Sequence, residues 1–423
     1  MKKLILVFCV LALMLCFVPI AKAGESKAEE STSIRILREK GIITDEEYEQ
    51  AKKEVESKQT FLDKIDVGYA KGKGFYLKTK DDKFSLTFGA RLQIRYTFNN
   101  VDEGKGEERD DSQTFTIKRA RLFWTGHAYE PWLKYKIQLD AAKDDVEMKD
   151  WYIDITKYKY ASLRLGQFKV PYGRQEINSS GDLQLVERSD VSDEFTPSRD
   201  IGLSFYGATK KDLFEYAVGI FNGQGQNAEN KDNEMMYAAR IAFNPFGAYN
   251  VGEWGVGTKE AALDRPESPK LSIGANWYFT GDDIDINDDD KKEDVDINGL
   301  GADIDFQWRD FSFRSEYFWR NLEVSRKSLA DDKSFGFYTQ AGYFIIPQKL
   351  EAVARYGYLD PHFNISDQTD IKDLKKEHTL GLNYYFEKHN LKVQADYSYL
   401  TAQDIGGNDK QDNRFRVQFQ IKF

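Results

Sequence analysis

Between Phe84 and Phe423 the chain alternates polar and apolar residues in about sixteen short stretches. The last stretch is the clearest. Phe415, Val417, Phe419, Ile421 and Phe423 fall on one side, and Arg414, Arg416, Gln418, Gln420 and Lys422 on the other. Successive side chains of a strand face opposite surfaces of a sheet. Each strand therefore owns one greasy face and one wet, cationic face. Such a sheet is satisfied when it closes on itself, with lipid outside and water inside: an all-β, membrane-spanning antiparallel barrel.

Strands are expected over roughly 84–98, 113–128, 132–141, 147–156, 161–169, 199–208, 213–221, 235–244, 270–280, 297–308, 311–324, 334–346, 349–360, 377–387, 390–401 and 412–423. Sixteen is even, as a closed barrel with both ends on one side requires. Closure also removes the unpaired edge that lipid cannot solvate. The connections alternate as well. Tight turns at Glu130-Pro131, Lys210–Asp212, Arg309-Asp310, Pro347-Gln348 and Lys388-His389 follow even-numbered strands. Longer loops at 99–112, 170–198, 222–234, 281–296, 361–376 and 402–411 follow odd-numbered ones. Short periplasmic turns and long external loops are the barrel rule. The stretch 245–269 breaks it, as an insertion or as a place where strands hide.

Four regions follow. Residues 1–23 read as a signal peptide: Lys2 and Lys3, an apolar run from Leu4 to Ile20, then Ala21-Lys22-Ala23. Both cysteines, Cys9 and Cys16, lie in it, so the exported chain has no disulfide or thiolate metal site. Residues 24–60 are highly charged and read as a periplasmic helix-turn-helix or coiled segment. Gly41 suits the end of a first helix, and Thr44 with Glu47 makes a capping box for a second. Residues 61–83 are a linker with a small hairpin, and 84–423 are the barrel. No later segment has eighteen consecutive apolar residues, so no further membrane helix is expected. Mean hydropathy is −0.63, yet there are 29 Phe and 24 Tyr; aromatic girdles around a half-polar wall reconcile the two. The acidic tract Asp282 to Asp296 lacks the spacing of a metal-binding loop and reads as a solvated charge run. No cofactor or metal is expected.

Parity also assigns charge. In the first strand Arg91, Gln93 and Arg95 face water; in the second Arg119, Arg121 and His127 do, and Lys118 points to lipid. Lys134, Lys136, Arg164, Arg240, Arg314, Arg320, Arg355 and Lys392 are likewise inward, against Asp140, Asp150, Asp154, Glu316, Glu351 and Asp396. Inward bases outnumber inward acids about two to one by this parity, although the formal net charge is −10. A positive lumen between low-dielectric walls concentrates anions, and Arg suits oxyanions because its planar fork donates several hydrogen bonds.

The stretches FSLTFGARLQIRY (84–96), FTIKRARLFWTGHAYEPWLKYKIQLD (115–140), LRLGQFKVPYG (163–173), SSGDLQLVERS (179–189), PSRDIG (197–202) and HTLGLNYYF (378–386), in that order and spacing, resemble the phosphate-selective porin O and P family. The resemblance implies a sixteen-stranded trimeric outer-membrane porin whose third external loop, here 170–198, folds inward. It places Arg91, the Lys118-Arg119 pair and Arg188 in an anion path, and matches Asp150 to a constriction aspartate. A bulge near Phe115–Ile117 would turn Lys118 inward as the resemblance requires. The family's phosphate-site lysine is replaced by Glu176, an acid that repels phosphate unless Arg174 or Lys169 compensates. The expected function is therefore passive diffusion of small anions through the outer membrane, with phosphate specificity left open.

Three rivals remain at this point: a general-diffusion pore, a plugged structural barrel, and a barrel enzyme. The last would use one of His127, His362, His378 or His389. No nucleophile elbow or zinc motif supports it. No nucleic-acid partner is expected.

Overall fold

The computed structural model describes residues 34–62, 64–102, 110–142, 145–158, 160–231, 233–247, 259–285, 292–324, 332–360, 374–403 and 409–423. The expected leader and parts of several external loops lie outside them. Two compact units are present, a small N-terminal one and the barrel.

In the N-terminal unit, helical residues 34–39 end at Gly41, whose φ of 66° is the left-handed conformation that closes a helix without a Cβ clash. The next helix, Asp45–Leu62, begins with the expected box. Thr44 N–H donates to the Glu47 carboxylate at 2.8 Å, and Glu47 N–H donates to Thr44 Oγ1 at 3.2 Å.

A first strand, β1 (Ile65–Ala70), precedes β2 (Gly74–Thr79), which turns at Asp82 into the barrel. The barrel strands are β3 (Phe84–Asp102), β4 (Asp110–Ala128), β5 (Leu133–Asp140), β6 (Glu147–Tyr158), β7 (Ala161–Lys169), β8 (Arg199–Ala208), β9 (Phe214–Phe221), β10 (Met236–Phe243), β11 (Lys270–Asp285), β12 (Lys292–Trp308), β13 (Phe311–Val324), β14 (Asp332–Ile346), β15 (Leu350–Asp360), β16 (Leu374–Glu387), β17 (Leu391–Gln403) and β18 (Asp409–Lys422). Each pairs antiparallel with the next, and β18 returns to β3, with Lys422 opposite Arg91 and Gln418 opposite Arg95. Strands β3 to β18 close into a sixteen-stranded barrel within an eighteen-stranded sheet that also contains β1 and β2. Within 245–269 no strand occurs among the described residues.

Burial is inside out. Along β18, Phe415 and Phe419 are exposed, while Arg416, Gln418 and Gln420 are buried. Several strands run further than their alternation does. β3 reaches Asp102, β11 reaches Asp285 and β12 starts at Lys292. Past the lipid the ladder continues between polar residues on both faces, so periodicity no longer marks the strand. The tight turns form as expected, each around a residue at positive φ: Tyr129, Lys211, Arg309, Gln348 and Lys388.

One parity assignment is corrected. Gln93 pairs with Arg119, but Ile94 pairs with Ile117, so Lys118 is an extra residue in β4. This bulge lies one residue beyond the expected stretch. Phe115 and Ile117 remain outward and exposed, Arg119 remains buried, and Lys118 turns inward to 3.5 Å from Glu187.

Candidate functional site

The segment between β7 and β8 folds into the barrel, with an apolar face against β9, β11, β13 and β14 and residues 179–187 against β18, β3 and β4. Val170, Tyr172, Ile177, Val191 and Phe195 meet Phe221, Tyr278, Phe318 and Tyr338 of the wall in a single buried cluster. Tyr172 lies edge-on to Tyr278 at 4.9 Å, and Phe195 stacks on Phe318 at 5.8 Å. Burying each such side chain is worth ~1.5–3 kcal/mol.

Carboxylates pin the segment's backbone. Glu316 accepts from the N–H groups of Arg174 and Gln175 at 2.5 and 2.7 Å. Asp396 accepts from Val186 N–H at 3.0 Å and Glu377 from Asp190 N–H at 3.3 Å. From the long connection after β10, Glu260 accepts from Gln184 N–H at 2.8 Å. Glu260 is also paired with Arg314 at 3.0 Å. Burial disfavours its charge, yet Arg314 and these donors hold its pKa below the usual range.

The charge census of the sequence changes accordingly. Among the described residues, buried Asp and Glu equal buried Lys and Arg in number, not half as many. Parity missed Asp200, Glu215, Asp303, Asp305 and Glu377, and could not see Glu176, Asp182 and Glu260, which lie outside the strands. Arg164 is held by Asp154, Arg240 by Asp303 at 2.7 Å, Arg355 by Glu377 at 2.5 Å, and Arg314 by Asp305 as well as Glu260. On this side of the barrel the arginines hold shape.

The expected site residues separate into two groups. Arg174 pairs with Asp303, not with Glu176. Glu176 is instead flanked by Lys169 at 3.8 Å and Arg188 at 3.0 Å. Burial works against its charge, but those two cations keep its pKa below the ordinary value. Arg188 also donates to the carbonyls of Gln175, Glu176 and Asn178, and so staples the segment to itself. Asp150 lies between Lys136 at 2.8 Å and Arg199 at 2.7 Å.

The other group lines one seam, β18–β3–β4. Its lumen-side positions hold Arg91, Arg95, Lys118, Arg119, Arg121, Arg414, Arg416 and Lys422. Four carboxylates lie within ion-pair distance of these eight bases among the described residues: Glu187, Asp140, Asp396 and Asp412. Arg91 is buried and donates to Ser179 Oγ at 2.8 Å and Ser180 Oγ at 3.0 Å, and its Nε has no partner. Glu187 is shared by three bases, with Arg95 Nη2 at 2.6 Å on Oε1, Arg119 Nη2 at 2.8 Å on Oε2 and Lys118 Nζ at 3.5 Å. Burial opposes its ionisation, but Arg119 and Arg95 hold its carboxyl well below the usual range. A pocket of about 410 Å³ opens here, lined also by Thr97, Arg188, Asp190, Asp193, Arg414 and Arg416. Sequence reasoning missed Glu187, Asp190 and Asp193, since a loop carries no parity to orient them.

Residues 51–423 match the profile of the family described as phosphate-selective porin O and P. The chain belongs to that family. An uncharacterised protein of Aquifex aeolicus is 25% identical over 454 residues, covering 98% of this chain and 99% of that one. The porin's fold is shared with OmpT of Vibrio cholerae (TM-score 0.54, 12% identity, 82% of this chain and 100% of that one). It is shared too with the anion-selective porin from Comamonas acidovorans (0.54, 11%, 80% and 100%). A third is the outer membrane channel DcaP of Acinetobacter baumannii (0.53, 14%, 83% and 99%). Family and closed barrel together make this an outer-membrane porin. The histidine that an enzyme reading would favour is used locally. His127 faces Ser85 across the β3–β4 ladder, its N–H donates to Ser85 Oγ at 3.1 Å, and its Nε2 lies 2.8 Å from the Asp82 carbonyl oxygen. These contacts tie the turn at the foot of the strands.

Proposed function

We propose that this porin passes small anions, chloride and phosphate-type oxyanions among them, along the β18–β3–β4 seam of its lumen, and that it works as a homotrimer exported by its leader. The observation that carries the selectivity is the seam's imbalance of eight bases to four carboxylates within ion-pair distance. The inward segment buries its apolar face against the far wall and sets Ser179, Ser180 and Glu187 against the seam, so a permeating ion is confined to the space beside these bases. Low-dielectric walls strengthen that bias. Arg95, Lys118 and Arg119 supply the central contacts, Arg91 and Arg121 those toward the periplasmic end, and Lys169, Arg174, Arg188, Asp150 and Glu176 shape the segment that confines the path. Glu176 is no bar to phosphate, because Arg188 and Lys169 flank it.

The test is the reversal potential of the full-length protein in a planar bilayer under a potassium chloride gradient. Anion preference is expected. A preference for potassium would overturn the reading, and a barrel that passes no current would favour a structural role.

A further inference from the structure

We propose that Glu187 is a built-in competitor for the permeating ion: its carboxylate occupies the oxyanion position between Arg95 and Arg119 and so keeps phosphate from binding tightly. The inference rests on the anion reading above and deepens it.

The geometry is that of an anion site already filled. Each carboxylate oxygen takes one guanidinium, at 2.6 and 2.8 Å, and Lys118 stands 3.5 Å away. A phosphate presenting one O–P–O edge would make the same two charge-assisted contacts. The donors are aimed independently of Glu187. Gln418 Oε1 accepts from Arg95 Nε at 3.1 Å and Nη2 at 2.8 Å, and Gln93 Oε1 accepts from Arg119 Nη1 at 2.9 Å. Gln93 is itself fixed by donating to the Ser180 carbonyl at 3.2 Å and to Gln420. Glu187 is the one member of the group supplied by the inward segment rather than the wall. It is only partly buried, with its side chain 16% exposed, and it borders the pocket, so an arriving ion can reach the same donors.

Conduction requires sites that attract an ion but let it leave. A tethered carboxylate acts as a competitor at an effective concentration on the order of millimolar or more. It shortens the residence of any oxyanion without removing the positive wall. In this chain, then, Glu187 sets the balance between binding and throughput.

The experiment compares wild type and Glu187→Gln, both full length, in planar bilayers. It measures inorganic phosphate block of chloride current together with reversal potential. Glutamine keeps the size and removes the charge. The half-blocking phosphate concentration is expected to fall about tenfold, the equivalent of one charge-assisted hydrogen bond gained by the ion, and chloride preference to rise. Unchanged block, or weaker anion preference in the variant, overturns the proposal. Glu187→Asp keeps the charge but withdraws it by one methylene, and is expected to shift block the same way by a smaller factor. An unshifted Asp variant overturns the proposal even where the Gln variant fails to assemble. Cation preference in wild type would sink the anion reading itself, whereas an anion-preferring wild type with an unresponsive Gln variant sinks this inference alone.

Discussion

At the scale of single residues, the decisive distinction is between a base with a carboxylate at ion-pair distance and a base without one. Arg91, inward on a strand, and Arg174, in a loop, carry no mark in sequence of whether a carboxylate meets them. Arg174 is spent on Asp303, whereas Arg91, also buried, donates to the Ser179 and Ser180 hydroxyls and has no carboxylate at ion-pair distance among the described residues. The partner comes from a distant strand, so no local pattern could separate them. Asp193 adds a titratable group to the same pocket. Confinement within the protein raises its pKa to about 6, with Glu176, Glu187 and Asp190 adding to the rise and Arg188 opposing it. A carboxyl with a raised pKa is neutral below that value and charged above it. The pocket therefore becomes more positive as pH falls through about 6, and chloride preference should increase across that interval. Asp193→Asn should show the low-pH preference at neutral pH and lose the pH response, as reversal potentials from pH 5 to 8 would reveal.

At the scale of elements, β4 carries a one-residue bulge that turns Lys118 inward while leaving Ile117 outward and Arg119 inward. Alternation alone assigned Lys118 to lipid, because a bulge breaks the two-residue period and leaves no composition signal. The family resemblance required the inward direction, and the register supplies the reason. Deleting Lys118 places Ile117 directly before Arg119, which restores plain alternation on both sides. That deletion should leave the barrel folded, with normal heat-dependent gel mobility, while lowering chloride preference. Loss of assembly would mean that the bulge is needed for closure. The inward segment shows the opposite case. Its place at 170–198 was legible from connection lengths. Which wall it leans on was not, because that depends on Tyr172 and Phe195 meeting Tyr278 and Phe318.

At the scale of the whole molecule, the barrel is an inverted globule whose lumen is organised by paired charges. Asp303 serves both Arg174 of the inward segment and Arg240 of the wall. Asp303→Ala would strand two buried guanidiniums at a cost of about 3–5 kcal/mol. It should lower the temperature at which the folded band is lost on semi-native gels, and should increase current noise by loosening the segment. The sequence alone determined the closed sixteen-stranded wall, its two faces and the position of the long third loop, while the entry of that loop into the lumen came from the family resemblance. Wall, faces and loop position follow from a two-residue period and from connection lengths, which are local properties that lipid and water act on one strand at a time. Only the tertiary structure decided where the lumen stays cationic. Net charge at a point depends on which carboxylates arrive from loops and distant strands, and Coulomb attraction across the lumen takes no account of separation along the chain.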